Sequence, residues 1–167
     1  LLELELINDS LGHGLMGWEV RWKDREVASQ IRIPEDMPVI VRVDGWKFHS
    51  LTKRLGFSKP FDRKMMECMV LGAREPFLRG LPAQLALTFS DEISFLFSPP
   101  LPFRGRVEKL VSITASLVGS AFTLGLVRMG VNAAAAFDGR VVLVRSPEEI
   151  ADYLAYRQAE AWRNCIN

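Results

Sequence analysis

Cysteine is scarce in this sequence: Cys68 and Cys165 are the only two, they stand far apart, and neither has a histidine at metal-ligand spacing. That argues against a disulfide framework and against a zinc site, and the expected compartment is a reducing cytoplasm. Long unbroken apolar runs are also missing. The longest stretch, Leu110–Val127, is interrupted by Ser and Thr and keeps amphipathic spacing, so no segment reads as a membrane span and no membrane partner is expected. Leu1-Leu2-Glu3-Leu4-Glu5 lacks the basic start and apolar run of a signal peptide. No initiator Met precedes it, so this end is read as incomplete.

Net charge of either sign is nearly absent as well, with 21 Lys and Arg against 20 Asp and Glu. The balance hides an asymmetry. Residues 1–36 hold 8 acidic and 4 basic side chains, which leaves 12 acidic and 17 basic in residues 37–167 and a body near +5. Such a body is compatible with a phosphate-rich partner. A chain of 167 residues can bury a sizeable core in one compact domain but not comfortably in two.

Residues 1–22 carry mixed signals and are read as an N-terminal extension without an assigned role; residues 23–167 are read as the folded domain. Pro38 opens a β-branched run, Val39-Ile40-Val41-Arg42-Val43, that stops at Asp44-Gly45, as a buried strand feeding a turn does. Phe48, Leu51 and Leu55 predict a short helix closed by Gly56. Pro60 precedes a second helix with Phe61, Met65, Met69 and Ala73 on its apolar face, and Met65, Met66 and Met69 are expected in the core. Two strand-like runs within Leu85–Phe97 flank Ser90-Asp91-Glu92, a hairpin tip. Val107, Leu110, Val111, Thr114, Leu117, Val118, Ala121 and Phe122 keep helical spacing. Asp138-Gly139 is expected to be a tight turn between two short strands. Ser146-Pro147-Glu148-Glu149 supplies a cap, a proline at the first helical position and a capping-box Glu for the last helix. The order predicts an α+β domain, a ferredoxin-like or polymerase-palm βαββαβ antiparallel sheet with helices on one face.

In that layout the first strand is central and lies beside the hairpin, so Asp44 and Asp91 can converge at one sheet end. Paired carboxylates suit Mg²⁺, which keeps coordination sites open for triphosphate oxygens. Asp-Gly is also an ordinary turn and Ser-Asp-Glu an ordinary loop, and spacing alone leaves both readings open.

Val41-Arg42-Val43-Asp44-Gly45-Trp46-Lys47-Phe48-His49 resembles the R-x-D-G-x-x-F-H signature of the tRNA-histidine guanylyltransferase family. Four further segments match in order: Phe57–Asp62, Phe89–Phe95, Phe137–Val142 and Asp152–Ala159. The resemblance covers about residues 25–167, and the Ser29–Pro34 stretch is more similar to the guanylyltransferase-like 3′–5′ polymerase branch. It implies a nucleotidyltransferase that adds nucleotides to a tRNA 5′ end in the 3′–5′ direction. It also implies two Mg²⁺ ions, GTP or another nucleoside triphosphate as substrate, and ATP as a candidate for 5′ activation.

Carried over residue by residue, Asp44, the Gly45 carbonyl and Asp91 are the implied metal ligands. Ser90 and Glu92 flank the second ligand, Glu92 counting among the implied catalytic carboxylates and Ser90 among the implied nucleotide contacts. His49, Lys59 and Lys109 match positions near triphosphate, although a capping histidine and surface lysines are the plain alternatives. Lys53 and Arg54 would track RNA phosphates or simply solubilise the surface. Arg157 and Asn164 are RNA-binding candidates, and Arg157 could instead pack against the sheet edge.

Two departures stand out. Trp162-Arg163-Asn164 occupies the place of a His-Ile-Asn motif associated with guanylate addition, which favours template-dependent 5′-end repair. Family members also continue beyond Asn167, so the C-terminal part of the family fold, and a homodimeric or tetrameric assembly with it, is expected of a longer protein. The rival readings are a palm-fold nucleotide cyclase, which would carry a Gly-Gly-Asp/Glu-Glu-Phe tip in place of Phe89-Ser90-Asp91-Glu92, and a catalytically inert RNA-binding palm.

Overall fold

The computed structural model describes residues 22–58 and 62–166, side chains of residues 164–166 excepted. Two units divide after Ile31. In the first, Trp22 and Lys23 are helical and turns follow through residue 30, with Arg25 N–H bonded to the Trp22 carbonyl and Glu26 N–H to that of Lys23. Nearly all of the extension expected over residues 1–22 lies outside the described residues.

The second unit carries the sheet. Strands β1 (Val39–Gly45), β2 (Ala83–Phe89), β3 (Glu92–Phe97) and β4 (Phe137–Leu143) lie in the order β2-β3-β1-β4. Every neighbouring pair is antiparallel. Helices α1 (Phe48–Leu55) and α2 (Arg63–Leu78) join β1 to β2, α3 (Val107–Arg128) follows β3, and α4 (Pro147–Ile166) follows β4. This is the expected α+β arrangement, with β1 central and beside β3.

The helices are not confined to one face. Val39, Val41, Val43, Ile93, Phe95 and Phe97 are fully buried in a core they share with Met69 of α2 and with Leu110, Val118, Phe122 and Leu126 of α3. On the other face Ile40, Leu96 and Val144 are buried against Ile150 and Tyr153 of α4. The reason is in the strands themselves. Val39–Val41 and Ile93–Phe97 run apolar with little alternation, and such strands need cover on both sides. By length and composition α3 could cross a membrane, but four of its large apolar side chains are fully buried here, as in a core helix.

Asp138-Gly139 is not a turn. Both residues belong to β4, where Asp138 pairs with Asp44 and Gly139 with Val43. The strand outcompetes the turn because β1 offers it a continuous partner. Gly139 serves close packing: a Cβ there would stand 3.1 Å from the Val111 side chain and carbonyl of α3. Helix α2 starts later than Pro60 predicts. Asp62 caps it, accepting from the N–H groups of Lys64 and Met65 at 2.9 and 3.2 Å. Phe61 lies outside the described residues. Met65 packs on the core, whereas Met66 is half-buried and outside it. At α4 one half of the expected capping box forms, and its return bond is made to Arg145, one residue before the cap. Glu149 N–H bonds the Ser146 hydroxyl, and the Glu149 carboxylate accepts from Arg145 N–H at 2.7 Å.

Candidate active site

Strand β1 carries Asp44 to the end of the sheet, and the two-residue turn Ser90-Asp91 brings the second carboxylate beside it. The two are tied through backbone: Gly45 N–H donates to the Asp91 carbonyl at 3.0 Å, and Trp46 N–H donates to the Ala136 carbonyl at 2.9 Å. The exit of β1 is therefore stitched to the hairpin on one side and to the approach of β4 on the other. Gly45 is required here because a Cβ would lie 2.3 Å from the Phe48 ring. That ring is itself wedged between Phe122 and Phe137, with centroids 5.1 and 4.9 Å away.

Two non-glycine residues adopt left-handed backbone on either side of the pair, Lys47 at φ 56° and Ser90 at φ 53°. Each such residue costs about 1 kcal/mol or more and persists only where surrounding contacts dictate it. Here those contacts are the α1 start and the closed hairpin.

Charge concentrates at this end. In register, Asp44 stands opposite Glu92 on β3 and opposite Asp138 on β4, which puts three carboxylates in one row on the α4 face. Burial first, then the negative charges of Asp91, Glu92 and Asp138, hold the Asp44 carboxyl above its ordinary 3.8, with Arg140 opposing them. Asp138 is ion-paired to Arg140 at 2.6 Å. Glu92, only 6% exposed, is gripped by Arg157 of α4 through two bonds of 2.8 and 2.5 Å, and the Arg42 guanidinium lies 3.7 Å away. Nearby, Ser94 and Tyr153 hydroxyls bond at 3.1 Å.

The structure thus groups Asp44, Gly45, Ser90, Asp91 and Glu92. His49, Lys53 and Arg54 are exposed on α1, which begins three residues after Gly45. Lys109 is half-buried on α3, the helix that packs on the other face of the sheet. Lys59 lies outside the described residues, as does the Asn164 side chain. Arg157, expected among RNA contacts, spends its guanidinium on Glu92. Sequence reasoning missed Asp138, Arg140 and Arg42 as neighbours of the site. The alternation Arg42-x-Asp44 was a usable signal, whereas Asp138-x-Arg140 was masked by the turn-like Asp-Gly. Among the described residues no group of three or more His, Cys, Asp or Glu could hold a metal ion between them. An open site of two carboxylates and a carbonyl is a different thing. A groove of about 770 Å³ runs between α3 and residues 135–139, lined mainly by small side chains, and includes neither Asp44 nor Asp91.

A family model described as tRNAHis guanylyltransferase matches residues 20–145. A protein of Drosophila melanogaster described as a probable tRNA(His) guanylyltransferase is 34% identical over 130 residues, which cover 75% of this chain and 46% of that one. Two solved structures are similar, both described as bacterial tRNA(His) guanylyltransferase-like proteins. The complex with GTP superposes with a TM-score of 0.81 at 33% identity, over 89% of this chain and 72% of that one. The complex with ATP gives 0.78 at 33% identity, over 86% and 64%. The chain spans about half the length of the curated relatives it matches.

The raised Asp44 carboxyl has a thermodynamic consequence. The folded state holds this proton more tightly than the unfolded chain, so ionising Asp44 costs stability. The penalty is absent below 3.8 and complete above the raised value. In divalent-free buffer at neutral pH, Asp44→Asn should therefore melt at higher temperature than the unaltered protein. The gap should close on acidification towards pH 3.8. A variant equally or less stable at neutral pH contradicts the charge-crowding argument.

Proposed function

This chain belongs to the tRNAHis guanylyltransferase family, and from that premise we propose that it is the catalytic palm of a magnesium-dependent nucleotidyltransferase that extends tRNA 5′ ends in the 3′–5′ direction. The observation that carries the reading is the backbone-tied convergence of Asp44 and Asp91 at one end of an antiparallel palm. The similarity to proteins in complex with GTP and with ATP supports nucleoside triphosphates as substrates.

The donor set fits a hard cation. Two carboxylates and the Gly45 carbonyl are oxygen ligands, and the crowding that raises Asp44 is relieved by positive charge at that point. Asp44, Gly45 and Asp91 would hold magnesium, whose chemistry there is to offset charge on the attacking and leaving oxygens of an in-line displacement. In the transfer, the O3′ of the incoming nucleotide forms a bond to the activated 5′ phosphorus and the bond to the leaving group breaks. Asp44 and Asp91 fix the geometry. Ser90 shapes the turn that aims Asp91. His49, Lys59 and Lys109 are assigned to triphosphate charge, and Lys53 and Arg54 on the exposed end of α1 to RNA phosphates. A cytoplasmic homo-oligomer belongs to the same proposal.

Within that class we favour 5′-end repair over a special tRNA-histidine reaction. Trp162, 69% exposed on α4, stands where the family motif has His. An indole offers a single donor and a large stacking face in place of an imidazole that accepts protons.

Two tests follow from this assignment. Asp44→Ala and Asp91→Ala should each keep native circular dichroism yet lower magnesium-dependent transfer of labelled GTP onto a 5′-truncated tRNA transcript by about 1,000-fold or more, several kcal/mol of barrier. A folded variant with near-normal transfer removes that residue from the metal site. Inactivity of the unaltered chain under the same conditions, with tRNA still bound, would favour an inert RNA-binding palm.

The second test concerns substrate choice. Incorporation should follow Watson–Crick pairing across truncated tRNAs with each templating base, with little preference for the non-complementary end of tRNA-histidine. A marked preference for that end, with no extension of the others, overturns the repair reading.

A further inference from the structure

We infer that Arg157 is a positioning residue for the carboxylate pair: it acts through Glu92, making α4 a structural part of the catalytic centre. The inference rests on the metal reading above. Arg157 lies beyond residues 20–145, the segment matched by the family model, so the match itself assigns it nothing.

The geometry is specific. Glu92 follows Asp91 directly and opens β3, opposite Asp44 in the register. Its carbonyl accepts from the Thr88 hydroxyl at 3.0 Å, which closes the hairpin from inside. Its carboxylate is buried and stands opposite Asp44 in the cross-strand row, an arrangement that repels unless it is neutralised. Arg157 neutralises it with a side-on, two-bond grip, and Arg42 adds a second, more distant cation. Held this way, Glu92 is spent on the arginines and does not compete with Asp44 and Asp91 for a cation. The residue that holds Glu92 also fixes the strand end from which the Ser90-Asp91 turn projects. Tyr153, one helical turn before Arg157, bonds Ser94 two residues along β3, so α4 is pinned to this strand at two points.

Partners that orient ligating carboxylates without touching the metal typically set its affinity by 10- to 100-fold. The test reads Mn²⁺ binding by electron paramagnetic resonance, with no nucleotide or RNA present, on the unaltered protein and on Arg157→Met, Arg157→Lys and the double variant Glu92→Gln/Arg157→Met. Arg157→Met should weaken Mn²⁺ binding by about 10- to 100-fold, and the lysine should restore part of it. The double variant, which removes the buried charge together with its partner, should bind more tightly than Arg157→Met alone. Affinity for a labelled tRNA transcript should change little. If Arg157→Met fails to fold, the lysine and double variants carry the same comparison.

Normal Mn²⁺ binding in every folded Arg157 variant, accompanied by weakened tRNA binding, would overturn the proposal and return Arg157 to the RNA surface. Equal Mn²⁺ affinity of the single and double variants would show that Arg157 does not act through Glu92. If the unaltered protein binds no Mn²⁺, the metal reading fails, and this inference with it.

Discussion

Like charge crowded into a small space is the constraint around which this fold is arranged. Asp44, Glu92 and Asp138 stand in one cross-strand row, and Asp91 is tied to the same corner through its carbonyl. Left alone, such a cluster would splay the strand ends apart. The structure counters it asymmetrically. Glu92 and Asp138 each receive an arginine, while at Asp44 burial and repulsion outweigh the opposing charge of Arg140. The carboxylates that are paired hold the frame, and the one under strain is available for chemistry.

The apolar core serves this arrangement from below. The rings of Phe48, Phe122 and Phe137 pack together under the exit of β1. They leave no room for a side chain at Gly45, and they fix the start of α1 close to the carboxylates. Across the sheet, α4 supplies both a small apolar contact and the polar grip on Glu92. A buried ion pair of this kind adds little net stability, since desolvation offsets most of the attraction, but removing one partner is costly. Its value is in position.

Much of this was legible in the residues. The abrupt end of Val39–Val43 at Asp44-Gly45 located the strand end, and the Ser90-Asp91 tip located its partner. The central place of β1 followed from the βαββαβ order. Two features were hidden. Asp138-Gly139 has the local chemistry of a turn, and only its pairing with β1 and the approach of Val111 make it strand. The link from Arg157 to Glu92 spans 65 positions, a separation that no local pattern encodes. Helices on both faces were foreshadowed by the unalternating apolar strands, a signal that the βαββαβ pattern overrode.

The decisive question is whether this corner of the sheet needs a cation. The most direct measurement is the thermal midpoint of the unaltered chain as MgCl₂ is raised, without nucleotide or RNA and at matched ionic strength. A ligand that binds only the folded state stabilises it by about 2.7 kcal/mol when its concentration is 100 times its dissociation constant. The midpoint should therefore climb steadily with magnesium and stay flat with KCl. A midpoint that ignores magnesium, or follows ionic strength alone, would contradict the reading of Asp44 and Asp91 as a cation site.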